Sequence, residues 1–143
     1  MRDKPDWMYR QSAVVPYLRR DDGIHVVLVT SAKSRQWGIP KGIIEPGFSA
    51  AESAAREAEE EAGVLGSVEE ALICEYSYEK WGGSCRVQVF PLLVKELLTT
   101  WDESGFRDRV TVPLASALGM VKPVLVDVLT RFRDYADPSL SAA

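Results

Sequence analysis

The segment that most constrains this chain is 49–63, a helix with its charges at the wrong end. Ser49 is followed three residues later by Glu52, the capping-box pattern that fixes a helix start. Gly63 suits the left-handed residue that ends one. Ala51, Ala54, Ala55, Ala58 and Ala62 lie between them, mostly three or four apart. Such a stripe favours helix and lets it approach a sheet closely. The same helix runs Arg56-Glu57-Ala58-Glu59-Glu60-Glu61. Glu57, Glu60 and Glu61 stand at i, i+3 and i+4, so they share a face, and each like-charge pair costs about 0.2–0.5 kcal/mol. Acids near the negative end of the helix dipole cost about 0.3–1 kcal/mol each. Together roughly 1–3 kcal/mol opposes the fold, a noticeable part of a domain's stability. Two readings follow: a solvated acidic face, or a face that meets a cation.

The preceding loop favours the cation. Pro40-Lys41-Gly42-Ile43-Ile44-Glu45-Pro46-Gly47 has glycines where backbone passes close to something, and it brings Lys41 near the acids. Hard divalent cations such as Mg²⁺ take oxygen ligands, which three carboxylates supply. Metal there would neutralise the repulsion and bridge to phosphate oxygens. Arg56 is spaced to pair with Glu52 or Glu60 at i±4 and orient a carboxylate.

Composition narrows the alternatives. The net charge is −4, so no overall basic field holds nucleic acid, and any anion must meet a local patch. Two cysteines, Cys74 and Cys85, and one histidine, His25, are too few for a four-ligand Cys/His zinc site. His25 sits at the start of a strand-like run, not in a nucleophile pair. The cysteines read as small buried hydrophobes in a reducing compartment. The charged N-terminus lacks a signal-peptide core, and no apolar run spans a bilayer. A cytoplasmic protein without a membrane partner is expected.

Around the acidic helix the chain reads as strands over 12–18 and 24–31, joined by an Asp22-Gly23 hairpin signal. A short apolar piece covers 37–40. Further strands are expected over 68–78 and 85–94, joined across Trp81-Gly82-Gly83. A short helix over 113–118 stops at Gly119, and a last one spans 123–136 with Pro at its first turn. Val121, Leu125, Val128, Leu129 and Phe132 share one face of it. Residues 1–143 read as one domain, with 1–11 and 137–143 peripheral. This order suggests an α/β or α+β sandwich.

These residues resemble the Nudix hydrolases, whose box opens with Gly and carries Arg-Glu, an aliphatic residue, any residue, Glu-Glu, any residue, Gly and an aliphatic residue. Gly42, Arg56-Glu57, Glu60-Glu61, Gly63 and Val64 fall at the matching offsets. Phe48 stands where the family has its first Glu, and Ala58 is a small version of the aliphatic residue. The resemblance implies the Nudix fold, a mixed β-sheet sandwiched between α-helices. It implies Mg²⁺, or Mn²⁺, held by Glu57, Glu61 and Glu60 with the Lys41 carbonyl. Glu60 matches a metal ligand in some members and the general base in others, and Arg56 matches the arginine that orients the glutamates. Phe48 cannot replace a carboxylate, so either Glu45 or Glu52 compensates or one metal binds more weakly. A further catalytic Glu outside the box would be Glu75, Glu79, Glu96 or Glu103.

Trp37-Gly38-Ile39-Pro40-Lys41-Gly42 and the second half of the chain are similar to members acting on dinucleoside or diphosphoinositol polyphosphates. That implies hydrolysis of a phosphoanhydride in a small phosphorylated substrate. Lys33, Lys41, Gly42, Arg86 and Lys122 match the anion-contacting positions. Tyr76, Tyr78 and Trp81 fall near a base-stacking position, although a pleated strand face explains Tyr76 and Tyr78 better. The alternatives are a nucleoside triphosphate or nucleoside-diphosphate-sugar hydrolase, such as one for ADP-ribose, and a non-catalytic nucleotide-sensing module.

Overall fold

The computed structural model describes residues 2–140. β1 (Arg10–Arg20) and β2 (Gly23–Thr30) form the expected hairpin, with Gly23 at φ 119. Two short strands, β3 (Trp37–Gly38) and β4 (Lys41–Ile43), lead into α1 (Ala50–Ala62). Then come β5 (Val64–Val68), β6 (Cys74–Lys80), β7 (Gly83–Leu97), β8 (Arg109–Pro113), α2 (Leu114–Leu118) and α3 (Pro123–Ala136).

β1 and β7 are the two long central strands, paired parallel from Arg10–Arg86 to Tyr17–Leu93. Each forks between two antiparallel partners. β1 pairs with β4 through Gln11–Ala13 and with β2 through Tyr17–Arg20. β7 pairs with β6 through Gly83–Val89 and with β5 through Leu92–Leu97. β3 and β8 complete the mixed eight-stranded sheet against β2.

The sheet is buried on both faces, and β1 is accordingly buried without a break from Gln11 to Tyr17. Val14, Val27, Val29, Phe90 and Leu92 pack under Ala54, Ala58 and Ala62 of α1. Ala13, Val15, Val26, Leu28, Val87 and Val89 pack on the other face under Leu125, Val128, Leu129 and Phe132 of α3.

Three sequence expectations change. The strand expected over 68–78 is two strands with an irregular link, because β7 changes partner around Pro91. Glu69 N–H donates to the Pro91 carbonyl, and proline brings no N–H of its own to the ladder. The 1–11 lead-in is not peripheral at its end: Tyr9 and Gln11 are 2% and 3% exposed. Tyr9 is held down by its hydroxyl, which donates to the Trp81 carbonyl. At the other end, Pro138–Leu140 forms a 3-10 turn, while 141–143 lie outside the described residues.

Candidate active site

The capping box at the start of α1 is complete. The Ser49 hydroxyl accepts from Glu52 N–H at 3.0 Å, and Glu52 Oε1 accepts from Ser49 N–H at 2.8 Å. Glu52 is therefore spent on the cap and does not replace the missing carboxylate. Ala54, Ala58 and Ala62 are fully buried and seat α1 close to the sheet. That closeness brings Glu57 and Glu61 against β4. A Cβ at Gly42 would lie 2.3 Å from the Glu57 carboxyl, so only glycine leaves room for it. One residue earlier, Lys41 N–H points at Glu61 Oε1 at 3.4 Å.

Glu57 and Glu61 are hydrogen-bonded to each other. Burial raises the pKa of Glu57, and neighbouring carboxylates add to the rise. Burial, then the bond to Glu57, pushes Glu61 up to about 9. Glu61 thus holds a proton more tightly than an ordinary carboxyl does.

The acidic end of α1 is held by residues far away in sequence. The last carbonyls of a helix have no partner within it. Here Glu103 N–H bonds the Glu60 carbonyl at 3.1 Å, and Leu98 N–H bonds the Gly63 carbonyl at 2.8 Å. Trp101 Nε1 bonds the Glu61 carbonyl at 2.7 Å, and Arg109 Nη1 bonds the Ala62 carbonyl at 2.8 Å. The Arg109 guanidinium also lies 4.3 Å from the Trp101 ring centroid. A cation at this end opposes the dipole penalty. Sequence reasoning did not give Trp101 and Arg109 a capping role, because no local pattern announces a cap supplied from about 40 residues downstream.

The same strap carries Glu103 and Arg107 to the carboxylate pair. Arg107 Nε donates to Glu103, and Arg107 Nη1 donates to the Thr30 carbonyl at 2.9 Å. Arg107 Nη1 also lies 3.9 Å from Glu61 Oε1. Of the four acids considered outside the box, Glu103 is the one near the site. Glu75 is paired with Arg86 at 2.9 Å, and Glu79 and Glu96 are exposed on strands.

A cleft of about 640 Å³ opens beside the pair, at the fork between β2–β3 and β4. Lys33, Lys41, Gly42 and Lys122 line it, as do Lys80 and Arg107. Trp37, Tyr76, Tyr78 and Trp81 supply apolar wall. Arg86 is not there. Val87 and Cys85 face the cleft side of β7, so Arg86 points to the opposite face and pairs with Glu75.

The three-carboxylate face is divided as well. Glu57 and Glu61 line the large cleft, whereas Glu60 lines a small second pocket with Glu45, Ser53, Arg56 and Glu57. Arg56 pairs with neither Glu52 nor Glu60. Its Nη1 lies 3.8 Å from Glu45, and its guanidinium sits 4.5 Å from the Phe48 ring centroid. Phe48, where the family has a carboxylate, thus holds this arginine by its ring face. Among the described residues, no three Asp, Glu, His or Cys groups converge as a ready-made metal site. The donor chemistry still fits a divalent cation at Glu57 and Glu61. They are two adjacent hard-oxygen donors, Glu61 buried and Glu57 half-buried, whose crowding a cation would relieve.

The NUDIX domain family profile matches residues 8–132, and the chain belongs to this family. Its members generally use divalent metal ions. The chain is 38% identical over 116 residues to "Nudix hydrolase 21, chloroplastic" of Arabidopsis thaliana, covering 77% of this chain and 59% of that protein. It is 30% identical over 137 residues to diphosphoinositol polyphosphate phosphohydrolase 2 of Rattus norvegicus, covering 92% of this chain and 75% of that one. The fold is similar to an Ap4A hydrolase from C. elegans in a binary complex, with TM-score 0.77 at 19% identity, over 89% of this chain and 96% of that one. The chain spans less than two thirds of the length of its Arabidopsis relative.

Proposed function

We propose that the protein is a Mg²⁺-dependent pyrophosphohydrolase that cleaves a phosphoanhydride in a dinucleoside polyphosphate or a diphosphoinositol-polyphosphate-like substrate. The observation that carries this reading is that one cleft holds both carboxylates and cations. Half-buried Glu57 and buried Glu61 line it together with Lys33, Lys41, Lys80 and Lys122. A scissile phosphate needs a cation held by acids, and the outer phosphates need fixed cations.

Glu57 and Glu61, with the Lys41 carbonyl, would hold the ion, and Glu60 borders the pair from the second pocket. Mg²⁺, with Mn²⁺ as the alternative, supplies neutralisation of phosphate oxygens and a lowered pKa for the attacking water. The chain's own residues do the rest. Lys33 and Lys122 hold outer phosphates from the rim. Arg107, anchored on Thr30 and Glu103, offers a fixed positive charge beside Glu61. Glu60 and Glu103 flank the pair and are the two candidate proton acceptors. Arg107 engages Glu103, whereas no ion pair engages Glu60 among the described residues, so Glu60 is the freer base. Arg56, stacked on Phe48, frames the pocket that Glu60 lines.

The name of the rat relative supports the polyphosphate branch. Free Cys74 and Cys85 support a reducing, cytoplasm-like location, and no described helix is long and apolar enough to cross a membrane. The test is phosphate or nucleotide release with and without Mg²⁺. The panel holds diadenosine tetra- and pentaphosphate, a diphosphoinositol polyphosphate, ADP-ribose and nucleoside triphosphates. Higher kcat/KM for a polyphosphate than for ADP-ribose is expected. A preference for ADP-ribose would overturn the branch, and tight binding without turnover would make the domain a nucleotide sensor.

A further inference from the structure

Lys41 places two opposite charges of the site within one residue of each other. Its backbone N–H points at the Glu61 carboxyl at 3.4 Å. Its own ammonium sits on a long flexible stem close to Glu61 and Glu57, whose charges act on it. The natural partner for a half-buried ammonium is such a carboxylate. Yet among the described residues no ion pair joins Lys41 to either acid. Its Nζ instead donates to Tyr78 Oη at 3.0 Å and lies 4.5 Å from the Tyr78 ring centroid.

Tyr78 is itself held. Its hydroxyl donates to Gln11 Oε1 at 2.7 Å, and Gln11 Nε2 contacts Cys85 Sγ at 3.6 Å. Gln11 is 3% exposed and Cys85 fully buried, so this chain of bonds is rooted in the core. The donors run one way. The ammonium gives to the phenol, the phenol gives to the amide oxygen, and the amide nitrogen gives to the thiol. The Tyr78 oxygen therefore has lone pairs to offer the lysine. The four residues come from β4, β6, β1 and β7, and they share the cleft face of the sheet. Lys41 is level with Ala13 beside Gln11, and Tyr78 is opposite Cys85.

We propose that Gln11 and Tyr78 are positioning residues that hold the Lys41 ammonium off the Glu57–Glu61 pair, leaving the carboxylates open to a divalent cation and the ammonium open to phosphate. The inference rests on the proposed metal-dependent reading and assigns these residues a part in it. A lysine released from Tyr78 swings onto the acids and competes with the metal for them. Both halves of the site are then lost to an internal ion pair.

The test uses Tyr78→Phe, which keeps the ring and its packing but removes the acceptor oxygen. Mg²⁺ alone is titrated calorimetrically into the wild type, Tyr78→Phe, and Tyr78→Phe combined with Lys41→Met. A crystal structure of metal-free Tyr78→Phe accompanies the titrations. Mg²⁺ should bind the single variant about tenfold more weakly, the scale of a charged hydrogen bond gained by a competitor. The added Lys41→Met change should restore the affinity, which loss of a merely structural contact would not allow. In the crystal, Lys41 Nζ should lie within ion-pair distance of Glu57 or Glu61. Unchanged Mg²⁺ affinity with Lys41 still over the introduced ring overturns the proposal and leaves the metal-dependent reading standing. A wild type that takes no Mg²⁺ removes that reading instead, and the lysine's position in the crystal still decides this one.

Discussion

α1 and α3 are nearly the same length, 13 and 14 residues, and cover opposite faces of one sheet. They are packed by opposite means. α3 buries Leu125, Val128, Leu129 and Phe132, and its Phe132 ring lies 5.1 Å from that of Tyr17. α1 buries Ala54, Ala58 and Ala62, which remove little apolar area from water. What small residues supply is proximity, and proximity drives Glu57 and Glu61 into contact with β4. α3 holds itself on the sheet by its own side chains. α1 depends on the strap at 98–109 for its last carbonyls and carries one buried and one half-buried acid that oppose folding. The stabilising helix and the chemical helix are thus separate elements, and α3 enters the cleft only at its N-terminal end, through Lys122, Val124 and Leu125.

Glu57→Gln and Glu61→Gln attack the chemical helix directly. Each should lower turnover by at least about two orders of magnitude, while thermal stability in EDTA stays level or rises. Turnover within a few-fold of wild type for both would remove the metal assignment. The same acids set a pH dependence. Glu61 has its folded-state pKa raised from an ordinary 4.5 to about 9, so the folded protein holds this proton more tightly than the unfolded one. That contribution is complete below about pH 4.5 and is lost as pH rises through about 9. The Tm of the metal-free protein should therefore fall between pH 5 and pH 9 by more in the wild type than in Glu61→Gln, which differential scanning calorimetry in EDTA reads. Parallel pH curves would mean that Glu61 is ionised in the fold.

Phe132→Ala breaks the other helix. It should cost about 3–5 kcal/mol in urea unfolding while kcat of the remaining folded protein stays near wild type. A comparable loss in kcat would show that the two helices are not separable. Lys122→Ala tests α3's one point of entry to the site. It should weaken polyphosphate substrates by about 1–3 kcal/mol in kcat/KM, and Arg86→Ala should change nothing, since Arg86 faces away. Equal effects of the two would contradict the cleft's boundary. Trp101→Phe is the mildest change, removing one hydrogen bond to the Glu61 carbonyl. About 1 kcal/mol of stability should go, with a measurable drop in kcat because the same carbonyl belongs to the acidic turn. A stability loss with kcat intact would make the strap a cap and nothing more.

Much of this was legible because it is local. The capping box, Gly63, the alanine stripe and the Arg-Glu-x-x-Glu-Glu spacing all act within α1, where 3.6-residue geometry fixes who shares a face. Gly42 precedes Glu57 by only 15 residues, and its need to be glycine was readable as a close backbone approach. The β1–β2 hairpin followed from Asp22-Gly23 in the same way. Helix periodicity, however, placed Glu57, Glu60 and Glu61 on one face without dividing them. The seat of α1 on the sheet turned two toward the cleft and left Glu60 at the second pocket. The same three-dimensional choice gave Arg56 to Phe48 and Glu45 rather than to the acids at i±4.

The sequence by itself determined the helix, its caps, its charge and the family to which they belong. Only the tertiary structure decided what restrains that charge. The caps from Leu98, Trp101, Glu103 and Arg109 come from a separate strap. The tether of Lys41 to Tyr78, Gln11 and Cys85 crosses four strands. Arg86 lost its place at the cleft through strand parity alone. The last two share one physical reason. Side-chain direction on a strand alternates with every residue, so which groups meet depends on pairing register, and register is set by the whole core rather than by any one segment.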